Sequence, residues 1–237
     1  ADGVGFGVED CCIEVLESII PTALLRKDAI GLPQLSELEV MRHYKELSDR
    51  NFCIEKGFCE EVWFVPSPDR WDKKLNASPE DRFAMLENAI SGIPGLVLSD
   101  FEIEMGDYRG SYVTMCALRN AYPDCHFRLL VGADSYSFIP HWRDPLNFFG
   151  TEFNGHLLLQ EFELIVFSRK GYSSPDKEAH LEKGFAPLFF IGKEDGFEGH
   201  FSSTEIRKSL WTKRSVCPSG LLEKNYQYIL EKGLYNE

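Results

Sequence analysis

Short apolar runs recur along the chain and alternate with segments whose apolar residues have helical spacing. The apolar runs predict β-strands at 22–25, 61–66, 95–104, 127–131, 164–167 and 188–191. The helical spacing predicts α-helices at 9–20, 38–49, 79–90 and 114–121, from 134 to 142, and at 221–232. Strands that alternate with helices in this way are typical of α/β proteins. The sequence therefore predicts a doubly wound, mostly parallel sheet with helices on both faces.

The length of the chain and the lack of a clear linker predict one main domain. A chain of 237 residues suffices for one large α/β domain or two small ones. Residues 1–21 are predicted to form an N-terminal arm with a short amphipathic helix, and residues 22–237 the domain itself. A helix of about a dozen residues is marginal in water unless its apolar face is packed. The arm is therefore expected to dock, either on its own domain or on a partner protein.

The charge and the cysteine content restrict the partners and the compartment. The formal net charge of −13 argues against a nucleic-acid partner, which needs a basic face. It does not exclude a small anionic ligand held by a few local cations. No apolar run approaches the roughly 20 residues needed to span a bilayer. Seven cysteines without C-x-x-C spacing predict reduced thiols and an intracellular location, in the cytoplasm or an organelle matrix.

The stretch from Phe201 to Arg207 combines three hydroxyl side chains with an arginine. Ser202 and Glu205 fit a capping box, which by itself predicts only a well-capped surface helix. A helix N-terminus also presents free N–H groups to phosphate, and Arg207 would add a planar fork for phosphate oxygens. Both interpretations stay open from these residues alone: a simple cap, or a phosphate site that includes Ser202, Ser203 and Arg207.

A second candidate site follows the predicted strand at 127–131. Gly132 would let a ligand approach the backbone closely, and Asp134 would accept a hydrogen bond from a ribose hydroxyl or an amide. Trp142 would stack on a planar ring, although a buried tryptophan more often belongs to the core. An ordinary strand-to-helix turn capped by aspartate explains the same residues. In an open α/β sheet, ligands bind outside the carboxyl ends of the strands, where this turn is expected to lie.

Two lysines and the histidines are the remaining candidates for functional groups. Lys73 and Lys74 follow the predicted strand at 61–66, so they would either meet phosphate at the same edge or remain solvated. None of the six histidines has a carboxylate and a nucleophile in a recognisable spacing. The sequence therefore supports neither a hydrolase triad nor a tight metal site.

Read together, these motifs resemble those of the nicotinate and nicotinamide mononucleotide adenylyltransferases, which belong to the nucleotidyltransferase superfamily of Rossmann-like folds. The matching segments are Val62 to Pro66, Arg82 with Met85 and Leu86, Ser111 and Tyr112 with Thr114, Tyr122 and Pro123, Val131 to Asp134, Trp142, Phe167 to Arg169, Ser202 to Arg207, and Gly233 to Tyr235. The resemblance covers about residues 22–237. The S-S-T-x-I-R motif and the G-A-D turn followed by tryptophan are specific when they occur in this order.

The resemblance implies ligands and residue roles. It implies that the triphosphate of ATP is held by Ser202, Ser203, Arg207, Lys73 and Lys74. It implies that the pyridine mononucleotide is held by Phe101, Thr114, Gly132, Asp134 and Trp142. An active member of the family would make a pyridine dinucleotide from ATP and the mononucleotide, a step of NAD biosynthesis, with Mg²⁺ bridging the phosphates.

At one motif the chain departs from the family. The family has an H-x-G-H motif after its first strand, whose histidines bind phosphates and stabilise the charge that develops during transfer. The best counterpart here reads Gln34-Leu35-Ser36-Glu37. Gln34 carries no charge, and Glu37 would bring negative charge near a polyphosphate. Two hypotheses follow: an adenylyltransferase, or a homologue without catalysis that serves as a structural or nucleotide-binding subunit of a homo-oligomer or a larger assembly.

Overall fold

The computed structural model describes residues 23–24, 53–54, 57–70, 76–144, 150, 152–168, 171–192, 203–213, 215–218 and 221–236. Several predictions concern residues outside these ranges: the arm at 1–21, the helix at 38–49, and the site residues Gln34, Glu37, Lys73, Lys74 and Ser202.

Six strands form two three-stranded sheets in the described part of the chain. The first sheet contains β1 (Ala23–Leu24), β2 (Val62–Phe64) and β3 (Leu96–Leu98). The second contains β4 (Leu129–Gly132), β5 (Leu164–Phe167) and β6 (Leu188–Ile191). Five of them lie within the predicted strand segments, and β4 extends one residue beyond its predicted segment, to Gly132.

The strands are parallel within each sheet except for β1. β2 pairs in parallel with β3, with Trp63 opposite Val97, and β5 lies between β4 and β6, parallel to both. β1 pairs antiparallel with β2 and also contacts β4. β1 therefore adjoins both sheets, and the strands lie in the order β3-β2-β1-β4-β5-β6, which is the order of a doubly wound Rossmann fold apart from the direction of β1. The predicted α/β fold with a mostly parallel sheet is confirmed.

Helices connect these strands. Their bounds are α1 (Pro79–Ile90), α2 (Phe101–Glu104), α3 (Ser111–Ala121), α4 (Ala133–Phe138), a 3₁₀ turn (Ile139–His141), α5 (Gly155–Glu161), α6 (Lys177–Glu182), α7 (Ser203–Thr212) and α8 (Glu223–Lys232). The predicted cap of α1 is confirmed, because the Ser78 hydroxyl accepts from the Asp81 N–H at 3.1 Å. Gly233 ends α8 in the left-handed conformation, with φ 64°, which glycine adopts without strain.

The prediction of one strand at 95–104 is wrong in its second half. The strand ends at Leu98, and Phe101 begins the short helix α2. The reason is local, because the Ser99 hydroxyl accepts from the Phe101 N–H at 3.3 Å and so favours a turn over an extended chain. Helices α5 and α6 were not predicted, and α3 begins at Ser111 rather than at Thr114.

The amino ends of the strands meet at one edge of the sheet. The Arg128 guanidinium, just before β4, donates to the Phe58 carbonyl, a few residues before β2, at 2.7 Å. The Phe58 ring also lies 6.1 Å from the ring of Phe189 at the start of β6. β2 and β3 are parallel to each other, and β4, β5 and β6 are parallel to one another. The two contacts of Phe58 place the amino ends of both sets at the same edge. Their carboxyl ends therefore lie together at the opposite edge, where open α/β sheets bind ligands.

The burial of the strands and the state of the cysteines agree with what the composition predicts. Every residue of β4 and β5 is buried. In the described ranges, no helix is both long and apolar enough to cross a membrane. The described cysteines are free thiols, as predicted: Cys53, Cys59, Cys116, Cys125 and Cys217.

Candidate functional site

A buried arginine fixes the position of the loop after β2. Arg82 lies on α1 and is fully buried. Its guanidinium donates to the carbonyl of Ser67 at 2.7 Å and to the carbonyl of Pro68 at 3.3 Å. A further bond from the same group, from Nε to the Ala77 carbonyl at 3.2 Å, ties the loop to the residues just before α1. The backbone at 67–68 is therefore positioned by Arg82, at the edge where the carboxyl ends of the strands meet.

A buried carboxyl group lies between this loop and α3. Glu102 on α2 accepts a hydrogen bond from the Thr114 hydroxyl on α3. Burial raises the pKa of Glu102, while the bond from Thr114 and the charges of Arg70 and Arg82 oppose that rise. The Arg70 guanidinium itself lies 4.0 Å from the centre of the Tyr108 ring, a cation–π contact. The loops after β2 and β3 thus carry one connected polar cluster.

The two pyridine-side residues predicted before β4 lie on neighbouring helices. Thr114 is fully buried, and its hydroxyl also donates to the Gly110 carbonyl at 3.3 Å. Phe101 is partly buried, with its ring 6.3 Å from the Tyr122 ring. Glu102 joins the two helices through its bond with Thr114. Thr114 therefore joins α3 to α2 through Glu102, while the Phe101 ring lies near Tyr122 at the end of α3.

The G-A-D turn directly follows the buried strand β4. Gly132 ends the strand and is the N-cap of α4, with φ −76°. Any residue adopts this conformation, so the backbone does not require glycine here. Asp134 lies in the first turn of α4 and is half-buried. The Ser137 hydroxyl donates to the carbonyls of Ala133 and Asp134, at 3.2 and 2.8 Å, and so stabilises this short helix.

Trp142 is held by backbone bonds on both sides. Its N–H donates to the Ile139 carbonyl at 2.9 Å, and its own carbonyl accepts from the Asn154 N–H at 3.0 Å. Gly155, the first residue of α5, lies so close to the 3₁₀ turn that a Cβ there would meet the Ile139 oxygen at 1.6 Å. Trp142 packs against the core and is half-buried. Gly132, Asp134 and Trp142 therefore belong to one connection, between β4 and α5.

The predicted phosphate residues are described only in part. Ser203 is the first residue of α7, and its side chain lies outside the described residues. Arg207 lies one turn further along α7 and is 3% exposed. Its neighbours Ile206 and Leu210 belong to the core, so this face of α7 packs inward. Burial of an arginine is unusual in a simple surface helix.

The described side chains do not form a protein-only metal site. Among the described residues, no group of three or more histidines, cysteines, aspartates and glutamates could hold a metal ion. Mg²⁺ in nucleotide enzymes is often bound by substrate phosphates with one or two carboxylates. A Mg²⁺ ion that enters with ATP would need no such cluster.

Sequence reasoning missed the roles of several residues that shape this edge: Arg70, Arg82, Glu102 and Gly155. For Arg82 a signal exists, since helical spacing places it on the same face as Met85, Leu86 and Ala89, all buried. A charged residue on an apolar helix face predicts a buried hydrogen-bonded group. For the other residues we find no local pattern, because their partners are distant in sequence.

Comparison with known proteins identifies the family. The cytidylyltransferase-like family model matches residues 53–209, more than half of the chain. The probable nicotinate-nucleotide adenylyltransferase of Geobacillus kaustophilus (strain HTA426) is 29% identical over 202 residues, which cover 81% of this chain and 80% of that protein. A protein of the same name from Clostridium botulinum (strain Loch Maree / Type A3) is 29% identical over 188 residues, with 77% and 87% covered.

Solved structures agree on the fold. The Plasmodium falciparum nicotinic acid mononucleotide adenylyltransferase complexed with NaAD has a TM-score of 0.62 and 20% identity, and the match covers 81% of this chain and 91% of that chain. The same protein complexed with APC has a TM-score of 0.58 and 19% identity, with 81% and 90% covered. The chain belongs to the cytidylyltransferase-like family, and its predicted resemblance to the nicotinate and nicotinamide mononucleotide adenylyltransferases is confirmed.

Proposed function

We propose that this protein is a nicotinate mononucleotide adenylyltransferase of NAD biosynthesis. The observation that carries the proposal is the G-A-D turn directly after β4. The strand order reverses between β1 and β4, and doubly wound sheets bind nucleotides in the crevice at that point. Asp134 lies in the first turn after β4, beside this point in the strand order.

The names of the relatives support the choice of substrate. The two bacterial relatives are named nicotinate-nucleotide adenylyltransferases, and the Plasmodium protein binds NaAD. In our proposal the carboxylate of Asp134 accepts a hydrogen bond from the mononucleotide, and the indole of Trp142 packs against its planar ring. Nicotinate mononucleotide is therefore the expected substrate, and nicotinamide mononucleotide the poorer one.

The reaction transfers the AMP part of ATP. A phosphate oxygen of the mononucleotide attacks the α-phosphorus of ATP and forms a new O–P bond. The bond between the α-phosphorus and the bridging oxygen of pyrophosphate breaks, and pyrophosphate leaves. Such transfers depend on positioning and on stabilisation of negative charge. Ser202, Ser203 and Arg207 would hold the triphosphate with Lys73 and Lys74, and Mg²⁺ would enter with ATP and neutralise part of its charge.

A second candidate function is nucleotide binding without transfer. It is favoured by the sequence Gln34-Leu35-Ser36-Glu37, where the family has two histidines. Loss of one preorganised donor typically costs about a hundredfold or more in rate. We therefore expect turnover below the ordinary range of roughly 1–1000 per second. In the limit of no turnover, the protein would serve as a nucleotide-binding subunit of an assembly.

An adenylyltransfer assay separates the two candidates. The full chain is incubated with ATP, Mg²⁺ and either mononucleotide, and dinucleotide and pyrophosphate are quantified. We expect slow formation of both products in equal amounts from nicotinate mononucleotide. Binding of that mononucleotide without any product would establish the second candidate instead. Neither binding nor product would contradict both.

A further inference from the structure

Helix α4 is too short to hold its own position. It has six residues, and its N-cap, Gly132, has no side chain to bond the first turn. Helices of this length are unstable in water unless tertiary contacts hold them. The position of Asp134 on α4 must therefore depend on contacts with the rest of the fold.

A chain of hydrogen bonds connects α4 to the start of β6. The Tyr136 hydroxyl on α4 lies 2.9 Å from Nδ1 of His180 on α6. Nε2 of the same imidazole lies 2.7 Å from the Ala186 carbonyl. Ala186 is itself held, because its N–H donates to the Leu159 carbonyl on α5 at 2.7 Å. His180 thus bridges a surface helix of the candidate site and the rigid backbone before β6.

The chemistry of these bonds determines the tautomer of His180. A carbonyl only accepts, so Nε2 carries the proton and donates to Ala186. In the neutral imidazole Nδ1 then has a lone pair, which accepts from the Tyr136 hydroxyl. His180 is 2% exposed, and the Phe185 ring packs against it with centroids 5.1 Å apart. The site is built for a neutral imidazole in one orientation.

We propose that His180 is a positioning residue for pyridine nucleotide binding, acting through Tyr136 to hold α4 and Asp134 in the binding geometry. The proposal rests on the function proposed above, because it assumes that α4 contacts the nucleotide. His180 touches no substrate in this account. It acts by fixing the Tyr136 hydroxyl, which joins α4 to α6.

The charges around His180 make this bridge sensitive to acid. Burial lowers the pKa of His180, the bond to Ala186 opposes that shift, and the nearby charge of Lys183 lowers the pKa further. From α4 the imidazole faces Tyr136, whose pKa is raised by burial and by Asp176, the cap of α6. Protonation would place a hydrogen on Nδ1 and remove the acceptor for Tyr136. The bridge is therefore complete at pH 6.5 and above, and it is lost only as the pH falls through the lowered pKa of His180.

The test measures binding of nicotinate adenine dinucleotide by calorimetry between pH 5 and pH 8. Each phosphate of this probe carries one ester bond and one anhydride bond, so the probe avoids the phosphate titration near pH 6 that a mononucleotide has. The variants are Tyr136→Phe, which keeps the ring, and His180→Gln. The matched control is His126→Gln, whose side chain is 60% exposed at the opposite edge of the sheet. Hydrogen-exchange protection factors of α4 are measured in parallel without ligand.

We expect both bridge variants to bind about threefold to tenfold more weakly at pH 8, the effect of one hydrogen bond. We also expect wild type and the His126 control to lose affinity and α4 protection as the pH falls through the lowered pKa of His180, a step that the bridge variants lack. Unchanged affinity and α4 protection in both bridge variants would overturn the proposal, even if their melting temperatures fall. If wild type binds no dinucleotide but α4 protection shows the step, the proposed function fails and the positioning of α4 stands.

Discussion

Arg82 is a buried charged side chain, and its role is structural. All its described hydrogen bonds go to backbone carbonyls or to the Ser67 hydroxyl, so it positions the loop after β2. Arg82 lies on the buried face of α1, so its helical spacing in the sequence is enough to place it in the core. The carbonyls that it binds follow from tertiary structure, and no spacing in the sequence predicts them.

Replacing Arg82 by methionine should destabilise the protein strongly. The substitution leaves several buried carbonyls without a donor, each costing about 1–3 kcal/mol. We expect a loss of about 3 kcal/mol or more in the free energy of unfolding, measured by urea denaturation. Arg119→Met is the control, because Arg119 is 46% exposed and paired with Glu161, and such surface pairs contribute about 1 kcal/mol at most. Equal losses in the two variants would contradict the assigned role.

The buried carboxyl group of Glu102 leads to a prediction about how the free energy of unfolding depends on pH. Burial raises its pKa from the ordinary value of 4.5, so the folded state binds a proton more readily than the unfolded state. Its contribution to stability is then complete below pH 4.5 and decreases as the pH rises through the folded value. Glu102→Gln keeps an acceptor for Thr114 and removes the buried charge.

We therefore expect Glu102→Gln to raise the free energy of unfolding at pH 7.5 and to change it little at pH 4. Urea denaturation at the two pH values measures the difference. Glu104→Gln, an exposed position on the same helix, should show no such pH-dependent gain. A gain at pH 4 that disappears at pH 7.5 would have the opposite sign and would refute the argument.

At the scale of elements, Gly155 controls the approach of α5 to the 3₁₀ turn before Trp142. Ala at this position would put its Cβ 1.6 Å from the Ile139 oxygen, so the turn or the helix must move. We expect Gly155→Ala to lower the free energy of unfolding by about 2 kcal/mol or more. It should also weaken pyridine nucleotide binding through displacement of Trp142. The melting temperature and a nucleotide titration test both effects.

Gln160→Ala is the control for this substitution, since Gln160 is exposed on the same helix. It should leave stability and binding near their wild-type values. Wild-type behaviour of Gly155→Ala would show that the close contact relaxes without cost, and that α5 does not position Trp142.

Elements with strong local signals were predicted well. Strands β4, β5 and β6 are short apolar runs, and α1 has a serine cap and a proline at its first position. Elements whose signals are weak or depend on other parts of the fold were not. Helix α5 begins at a glycine that packing requires, and α2 interrupts a segment whose alternation is typical of a strand. The antiparallel direction of β1 likewise depends on pairing, which local sequence does not encode.

At the scale of the whole molecule, the order of strands places the candidate site. The alternation of strands and helices predicts the doubly wound sheet, and the sheet in turn predicts that Gly132 and Asp134 meet ligands at its carboxyl-end edge. The G-A-D motif alone favours an ordinary strand-to-helix turn capped by aspartate. The fold raises the weight of the binding interpretation, because it puts the turn next to the point where the strand order reverses.

Calorimetric titration of nicotinate mononucleotide tests whether the G-A-D turn after β4 binds a pyridine nucleotide. We expect one saturable site per full chain. We also expect about tenfold weaker binding by Asp134→Asn, which keeps an oxygen acceptor but loses the charge. Asp124→Asn, an exposed aspartate in the loop before β4, should bind as wild type does. Absence of saturable binding to the wild-type chain, or equal affinity of wild type and Asp134→Asn, would contradict the account.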